Sequence, residues 1–154
     1  MIRIKTDSAE ETRRTGRRLG ELIETDAVIA LTGGLGSGKT VFVKGIADGL
    51  GTIDGDDVTS PSFALIHEYP GRIFLFHIDL YRLERYAEIA GIGLEEILEK
   101  GGVAAIEWAD RIDQKTLGDH IHVRLEIIND DSRFITLTGY GDRSLKILHR
   151  LGEE

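Results

Sequence analysis

Cysteine is absent from the 154-residue chain. This excludes a disulfide scaffold, a thiol nucleophile and any thiolate metal site; a domain of this length buries a core without such staples. Long apolar runs are also missing. None approaches the roughly 18 residues that a membrane-spanning helix needs. The opening Met1-Ile-Arg-Ile-Lys-Thr has no apolar signal-peptide core, so a cytoplasmic location is expected. Side-chain amides are scarce, with Asn129 and Gln114 the sole Asn and Gln. Nor is there any basic excess. Nineteen Lys and Arg stand against 27 Asp and Glu, for a net charge of −8, and such a surface repels DNA and RNA phosphates at long range. No internal repeat or low-complexity segment is visible. A single domain over residues 1–154 is expected.

What is present alternates between strand and helix patterns. Ile2–Lys5 reads as a short strand. Ser8 opens a helix, with Glu11 as its capping-box partner, that runs to about Glu24 and buries Leu19, Leu22 and Ile23. Ala27–Leu31 is a continuous apolar run of strand length. Val41–Leu50 reads as a helix ended by Gly51, and Thr52–Asp57 as a loop. Phe63–Tyr69 and Arg72–Asp79 flank Pro70-Gly71 as a hairpin. Tyr86–Ile89 and Leu94–Lys100 read as short helices. Val103–Glu107 is an apolar run ending in a carboxylate. His120–Asn129 and Arg133–Thr138 form a second hairpin. Asp142 caps a last helix whose Leu145, Leu148 and Leu151 face the core. The fold class is α/β: a three-layer core with a mixed parallel and antiparallel sheet.

Gly33-Gly-Leu-Gly-Ser-Gly-Lys-Thr40 matches the pattern G-x-x-x-x-G-K-[ST] in full. A strand precedes it and a helix follows it, as phosphate binding requires. Glycines let successive N–H groups converge on one concavity. The helix starting near Lys39 aims its positive dipole end at the same point. Lys39 can bridge β- and γ-phosphates, and the Thr40 hydroxyl can coordinate Mg²⁺. A nucleoside triphosphate with Mg²⁺ is the expected ligand.

Such a site needs an acid at the end of a neighbouring strand. Asp79 and Glu107 both close apolar strand candidates, at the sheet edge where α/β proteins bind ligands. Asp79 is assigned to Mg²⁺, directly or through water. Glu107 is the candidate for a further metal partner or for polarising the attacking water. Either can instead cap a turn. Thr59-Ser60-Pro61-Ser62 is a candidate switch segment sensing the γ-phosphate, or a plain Ser/Thr-Pro turn.

Together, Thr32–Thr40, Thr59-Ser-Pro-Ser-Phe63, His77-Ile-Asp-Leu-Tyr-Arg82 and Glu107-Trp108 resemble the TsaE (YjeE) family. Its members are the bacterial ATPases needed to make threonylcarbamoyladenosine beside the tRNA anticodon. The pieces occur in the family's order over most of the chain. The resemblance implies ATP and Mg²⁺ binding at Gly34, Leu35, Gly36, Ser37, Gly38, Lys39 and Thr40, with Trp108 beside the nucleotide. It places Thr40, Asp79 and Glu107 at the metal and catalytic positions, and Thr59 at a switch-like threonine. Slow hydrolysis alone and action with two partner proteins, TsaB and TsaD, are implied as well, with tRNA reached through the complex.

Other residues leave alternatives open. His77 shares a strand face with Asp79; it orients Asp79, touches phosphate, or is a satisfied interior histidine. His120 and His122 lack a completing ligand nearby and read as structural. Arg82 neutralises phosphate, pairs with a partner's carboxylate, or forms a surface salt bridge. Arg13, Arg14, Arg17 and Arg18 read as a solvated face self-paired with Glu10, Glu11 and Glu21, with contact to tRNA or an acidic partner face as the alternative. Trp108 packs on nucleotide, on a partner, or into the sheet edge. A small-molecule kinase has a similar loop and size. However, such kinases usually carry an arginine-rich lid over the phosphates, and the segment directly after Asp79 holds only Arg82 and Arg85, with no lid-like cluster following. The Asn-Lys-x-Asp guanine reader of a GTPase is missing.

Overall fold

The run at Ala27 becomes the middle of a sheet. The computed structural model describes residues 1–52, 66–81 and 93–153. Its strands are β1 (Ile2–Thr6), β2 (Ala27–Thr32), β3 (Ile66–Tyr69), β4 (Leu75–Asp79), β5 (Val103–Glu107), β6 (His120–Ile127) and β7 (Arg133–Tyr140). They form one sheet in the order β1-β7-β6-β2-β5-β4-β3. The four inner strands β6, β2, β5 and β4 are parallel; β7 and β3 run antiparallel to their hairpin partners β6 and β4, and β1 pairs antiparallel with β7. Covered on both faces, β4 and β5 are buried at every position, which explains their unbroken apolar runs.

Helices α1 (Ala9–Leu22), α2 (Lys39–Gly49) and α5 (Asp142–Glu153) cover one face, over a core that includes Leu19, Ile29, Phe42, Ile46, Val123 and Leu148. On the other face, α3 (Leu94–Glu99), a 3₁₀ turn (Ala109–Arg111) and α4 (Gln114–Leu117) pack on Ala30, Ile78, Ile106 and Ile112. This is the expected α/β three-layer fold with a mixed sheet. Neither the 3₁₀ turn nor α4 is foreshadowed by apolar periodicity, since both are too short to show any. The expected helix at Tyr86–Ile89, the Phe63 start of the first hairpin and all of the Thr52–Asp57 loop beyond Thr52 lie outside the described residues.

Two local details differ from expectation. Leu145 is 52% exposed, not part of the core. The inward stripe of α5 is Ser144, Ile147, Leu148 and Leu151, an i, i+3, i+4, i+7 set. Its phase is set by Ser144, whose hydroxyl donates to Asp119 Oδ1. The same carboxylate accepts from the N–H groups of Arg143 at 3.0 Å and Ser144 at 3.1 Å. Asp119, from the turn before β6, therefore caps α5 where Asp142 was expected to. At α1, Ser8 accepts from the Glu11 N–H at 3.1 Å as the capping box requires, but the Glu11 carboxylate reaches back to the Asp7 N–H.

The two helices nearest the phosphate loop meet through glycine. A Cβ on Gly45 would stand 2.0 Å from Arg13 O, one on Gly16 2.3 Å from Phe42 O, and one on Gly49 2.4 Å from Arg17 O. Only glycine permits such contact between main chains. Arg13 spans this seam, its Nε 2.6 Å from Asp48 Oδ2 on α2. Arg17 does pair with Glu21 as expected, at 2.8 Å.

Candidate functional site

Parallel strand β2 delivers the chain to the carboxyl edge of the sheet at Thr32, and α2 carries it away from Lys39. The intervening loop must reverse direction in six residues. Gly33, Gly36 and Gly38 do so with φ of 149°, 76° and 103°, values costly for any residue with a side chain. Gly38 stands at the N-cap position of α2 without a side-chain cap, so the first amides of α2 remain for an anion. Nothing lies within 4 Å of a Cβ position at Gly34 or Gly36, and Leu35 is 73% exposed at the loop's tip. The concavity is open to a ligand.

Lys39 folds back over this loop. Its Nζ donates to Gly33 O at 2.8 Å, Gly34 O at 2.9 Å and Ser37 Oγ at 3.3 Å. It also lies 4.1 Å from the centroid of the Trp108 indole, within cation–π range. Burial lowers its pKa, and the charges of Glu107, Asp79 and Asp110 oppose that shift.

The two strand-end carboxylates come together because β4 and β5 pair in register. Asp79 stands opposite Glu107, and Glu107 stands opposite Leu31 of β2. Glu107 is 3% exposed. The Thr40 hydroxyl donates to it, 3.1 Å from Oε1 and 3.0 Å from Oε2. Across the sheet, His77 Nε2 of β4 meets Glu107 Oε2, so His77 pairs with Glu107 and not with Asp79. Asp79 accepts the Tyr81 N–H at 2.9 Å. Burial raises the pKa of Asp79; the Tyr81 bond opposes this and the charge of Glu107 adds to it.

Directly after Glu107 the chain turns sharply. Trp108 has φ 61°, the one positive φ outside glycine among the described residues. Left-handed backbone at a bulky residue is a strained state held by its surroundings. Here it lays the half-buried indole against Lys39 and 5.1 Å from the Tyr81 ring. The adjoining cavity of 690 Å³ is bounded by Thr32, Gly33, Gly34, Trp108, Asp110 and His122, among others.

The structure thus brings together Gly34, Leu35, Gly36, Ser37, Gly38, Lys39, Thr40, Asp79, Glu107 and Trp108. Thr59, Ser60, Ser62 and Arg82 lie outside the described residues. His120 bonds Gly118 O at 2.8 Å and His122 bonds Thr32 Oγ1 at 2.8 Å. Burial, with His120 and Arg124 nearby, lowers the pKa of His122. Among the described residues no group of three or more His, Asp and Glu side chains gathers as a metal site, and no helix is long and apolar enough to cross a membrane. The donor set that remains, a hydroxyl beside two carboxylates, suits a hard cation that keeps waters and phosphate oxygens as its other ligands.

Two arginines belong to the site without having been foreseen. Arg133, at the start of β7, donates from Nε to Ser37 O at 3.0 Å and from Nη2 to Gly36 O at 3.1 Å. Its Nη1 holds the hairpin carbonyls of Asn129 at 2.7 Å and Ser132 at 2.9 Å. It ties the phosphate loop to the β6–β7 turn. Arg111 donates to Leu80 O at 2.6 Å and Tyr81 O at 2.5 Å, fixing the segment after Asp79.

The chain is similar to known proteins of one family. The family model described as threonylcarbamoyl adenosine biosynthesis protein TsaE matches residues 6–135. The Treponema pallidum tRNA threonylcarbamoyladenosine biosynthesis protein TsaE is 38% identical over 136 residues, which is 88% of this chain and 99% of that protein. The Bacillus subtilis protein of the same description is 36% identical over 143 residues, 92% and 88% of the two chains. The crystal structure of Bacillus subtilis YdiB superposes with a TM-score of 0.78 at 31% identity, covering 99% of this chain and 94% of that one.

Proposed function

Since the chain belongs to the TsaE family, we propose that it is the ATP-binding and ATP-hydrolysing component of tRNA threonylcarbamoyladenosine biosynthesis. The observation that carries this reading is the Thr40 hydroxyl, at the start of α2, bonded to Glu107, which stands beside Asp79 at the ends of two adjacent parallel strands, with Lys39 in the field of both carboxylates.

In this reading the amides from Gly34 to Thr40 cradle the phosphates. Lys39 exchanges its bonds to Gly33 O and Gly34 O for the β- and γ-phosphates. A hydroxyl has one proton and two lone pairs, so Thr40 can keep donating to Glu107 while a lone pair faces Mg²⁺. Asp79 holds the same ion, directly or through water. Once bound, the ion neutralises charge that develops on the phosphates. Glu107 orients the attacking water, Thr59 senses the γ-phosphate and Trp108 walls the nucleotide site.

TsaD and TsaB are the proposed partners, in the cytoplasm. At a net charge of −8, the chain reaches tRNA through them, because its own field repels phosphate. An ATPase assay with TsaB, TsaD and tRNA added in turn tests the reading. Slow turnover is expected from the chain alone, faster turnover with partners, and no nucleotide binding by Lys39→Ala. Calorimetry showing no binding of Mg·ATP to the wild-type chain would overturn it.

A further inference from the structure

His77 is fully buried on β4, where it pairs with Ala105 of β5. Its Nε2 meets Glu107 Oε2, and its Nδ1 is buried with no hydrogen-bond partner among the described residues. A neutral imidazole has one donor and one acceptor nitrogen. A proton on Nδ1 would leave a buried N–H unsatisfied and set the Nε2 lone pair against a carboxylate oxygen. A proton on Nε2 satisfies the contact. The ring is therefore a donor aimed at Glu107.

The last torsion of a glutamate side chain has a broad, shallow preference. The plane of its carboxylate is set by what binds it. Among the described residues, Glu107 is held by the Thr40 hydroxyl from α2 and by His77 from β4. Two anchors on different elements fix a plane that one anchor leaves free to swing.

We propose that His77 is a positioning residue, whose Nε2–H holds the Glu107 carboxylate in the orientation that serves hydrolysis. This rests on the ATPase reading of Glu107. His77 touches neither phosphate nor metal in this role; it acts through the carboxylate. The loop and Lys39 do not depend on it, so nucleotide affinity is separable from turnover.

The test compares His77→Leu, which keeps bulk without a donor, with His77→Gln, whose amide N–H can take the place of Nε2–H. Hydrolysis of Mg·ATP is measured on the full chain, with the partner proteins and tRNA, alongside nucleotide affinity by calorimetry. His77→Leu is expected to lower kcat by about tenfold or more, with KM and nucleotide affinity moved less than about threefold, as befits a misplaced group rather than a lost binding contact. His77→Gln should recover most of that loss. Nitrogen-15 spectra of the imidazole should show His77 protonated at Nε2, with signals that move in Glu107→Ala. A folded His77→Leu with wild-type kcat, a His77→Gln no better than His77→Leu, or a ring protonated at Nδ1 would each overturn the proposal. If the wild-type chain neither binds nor hydrolyses ATP, the ATPase reading fails instead, and the ring spectrum still decides whether His77 holds Glu107.

Discussion

The hydroxyl of Thr40 donates to both carboxylate oxygens of Glu107, at 3.1 and 3.0 Å, so the first turn of α2 is tied to the end of β5. Glu107→Gln keeps the shape of this contact and removes the charge. It is expected to bind ATP within about threefold of wild type and to lose about a hundredfold in kcat, because an oriented carboxylate contributes to turnover more than to binding. Parallel calorimetry and single-turnover hydrolysis measure both quantities.

Asp79 should trade stability for function. Burial raises its pKa above the ordinary 3.8, so its charge weighs on the fold. That penalty is absent below pH 3.8 and sets in as pH rises through the raised value. Asp79→Asn keeps an acceptor for the Tyr81 N–H and carries no charge. Its melting temperature at pH 7 should exceed that of wild type while hydrolysis falls, and the stability gain should vanish in acid. Thermal melts from pH 3 to 8 test the sign.

Arg133 acts on the loop from outside. Arg133→Ala frees the carbonyls of Gly36 and Ser37, and the loop must then be ordered when nucleotide binds. Nucleotide affinity should fall by roughly tenfold, a cost of ordering a preformed site, while kcat at saturation changes little. Equilibrium titration against saturating turnover separates the two.

Asp119 caps α5, and hydrogen bonds from Ser144 and Arg143 outweigh its burial to hold its carboxyl below the ordinary 3.8. Stability from such a group is fully present above that ordinary value and is lost as pH falls through the lowered one. Asp119→Ala should cost about 1 kcal/mol at pH 7, as loss of a helix cap does, and the difference should close in strong acid. Denaturant unfolding at pH 7 and in acid gives both figures.

Glycines within helices should respond in opposite directions. Gly45→Ala places a methyl 2.0 Å from Arg13 O and should cost about 1–3 kcal/mol, the range for overpacking. Gly152→Ala, exposed on α5 with Ile2 Cδ1 3.6 Å away, should gain up to about 1 kcal/mol from helix propensity alone. Equilibrium unfolding of the two variants checks the contrast.

What the sequence discloses and what it withholds follow the reach of each interaction. The phosphate loop and the carboxylates of Asp79 and Glu107 are readable because each is encoded within a few residues: glycines and Lys-Thr between a strand and a helix, or an acid closing an apolar run. His77 reads as sharing a strand face with Asp79, which it orients in one of the three readings left open. Strand pairing gives it Glu107 instead, 30 residues away. Arg133 meets Ser37 across 96 residues, which no local spacing reports. Leu145 shows the limit of periodicity itself. Leucines at 145, 148 and 151 fit one helical stripe and Ser144, Ile147, Leu148 and Leu151 fit another, and a single serine bonded to Asp119 chooses between them.

The glycine seam gives the molecule a stiff lever. Where peptide groups of α1 and α2 touch directly, no long side chains lie between them to absorb a displacement. Any tilt of α2 as its amino end grips a ligand must travel through the seam into α1, and from there along the Thr6–Thr12 hydroxyl contact, 2.8 Å long, to the outermost strand of the sheet.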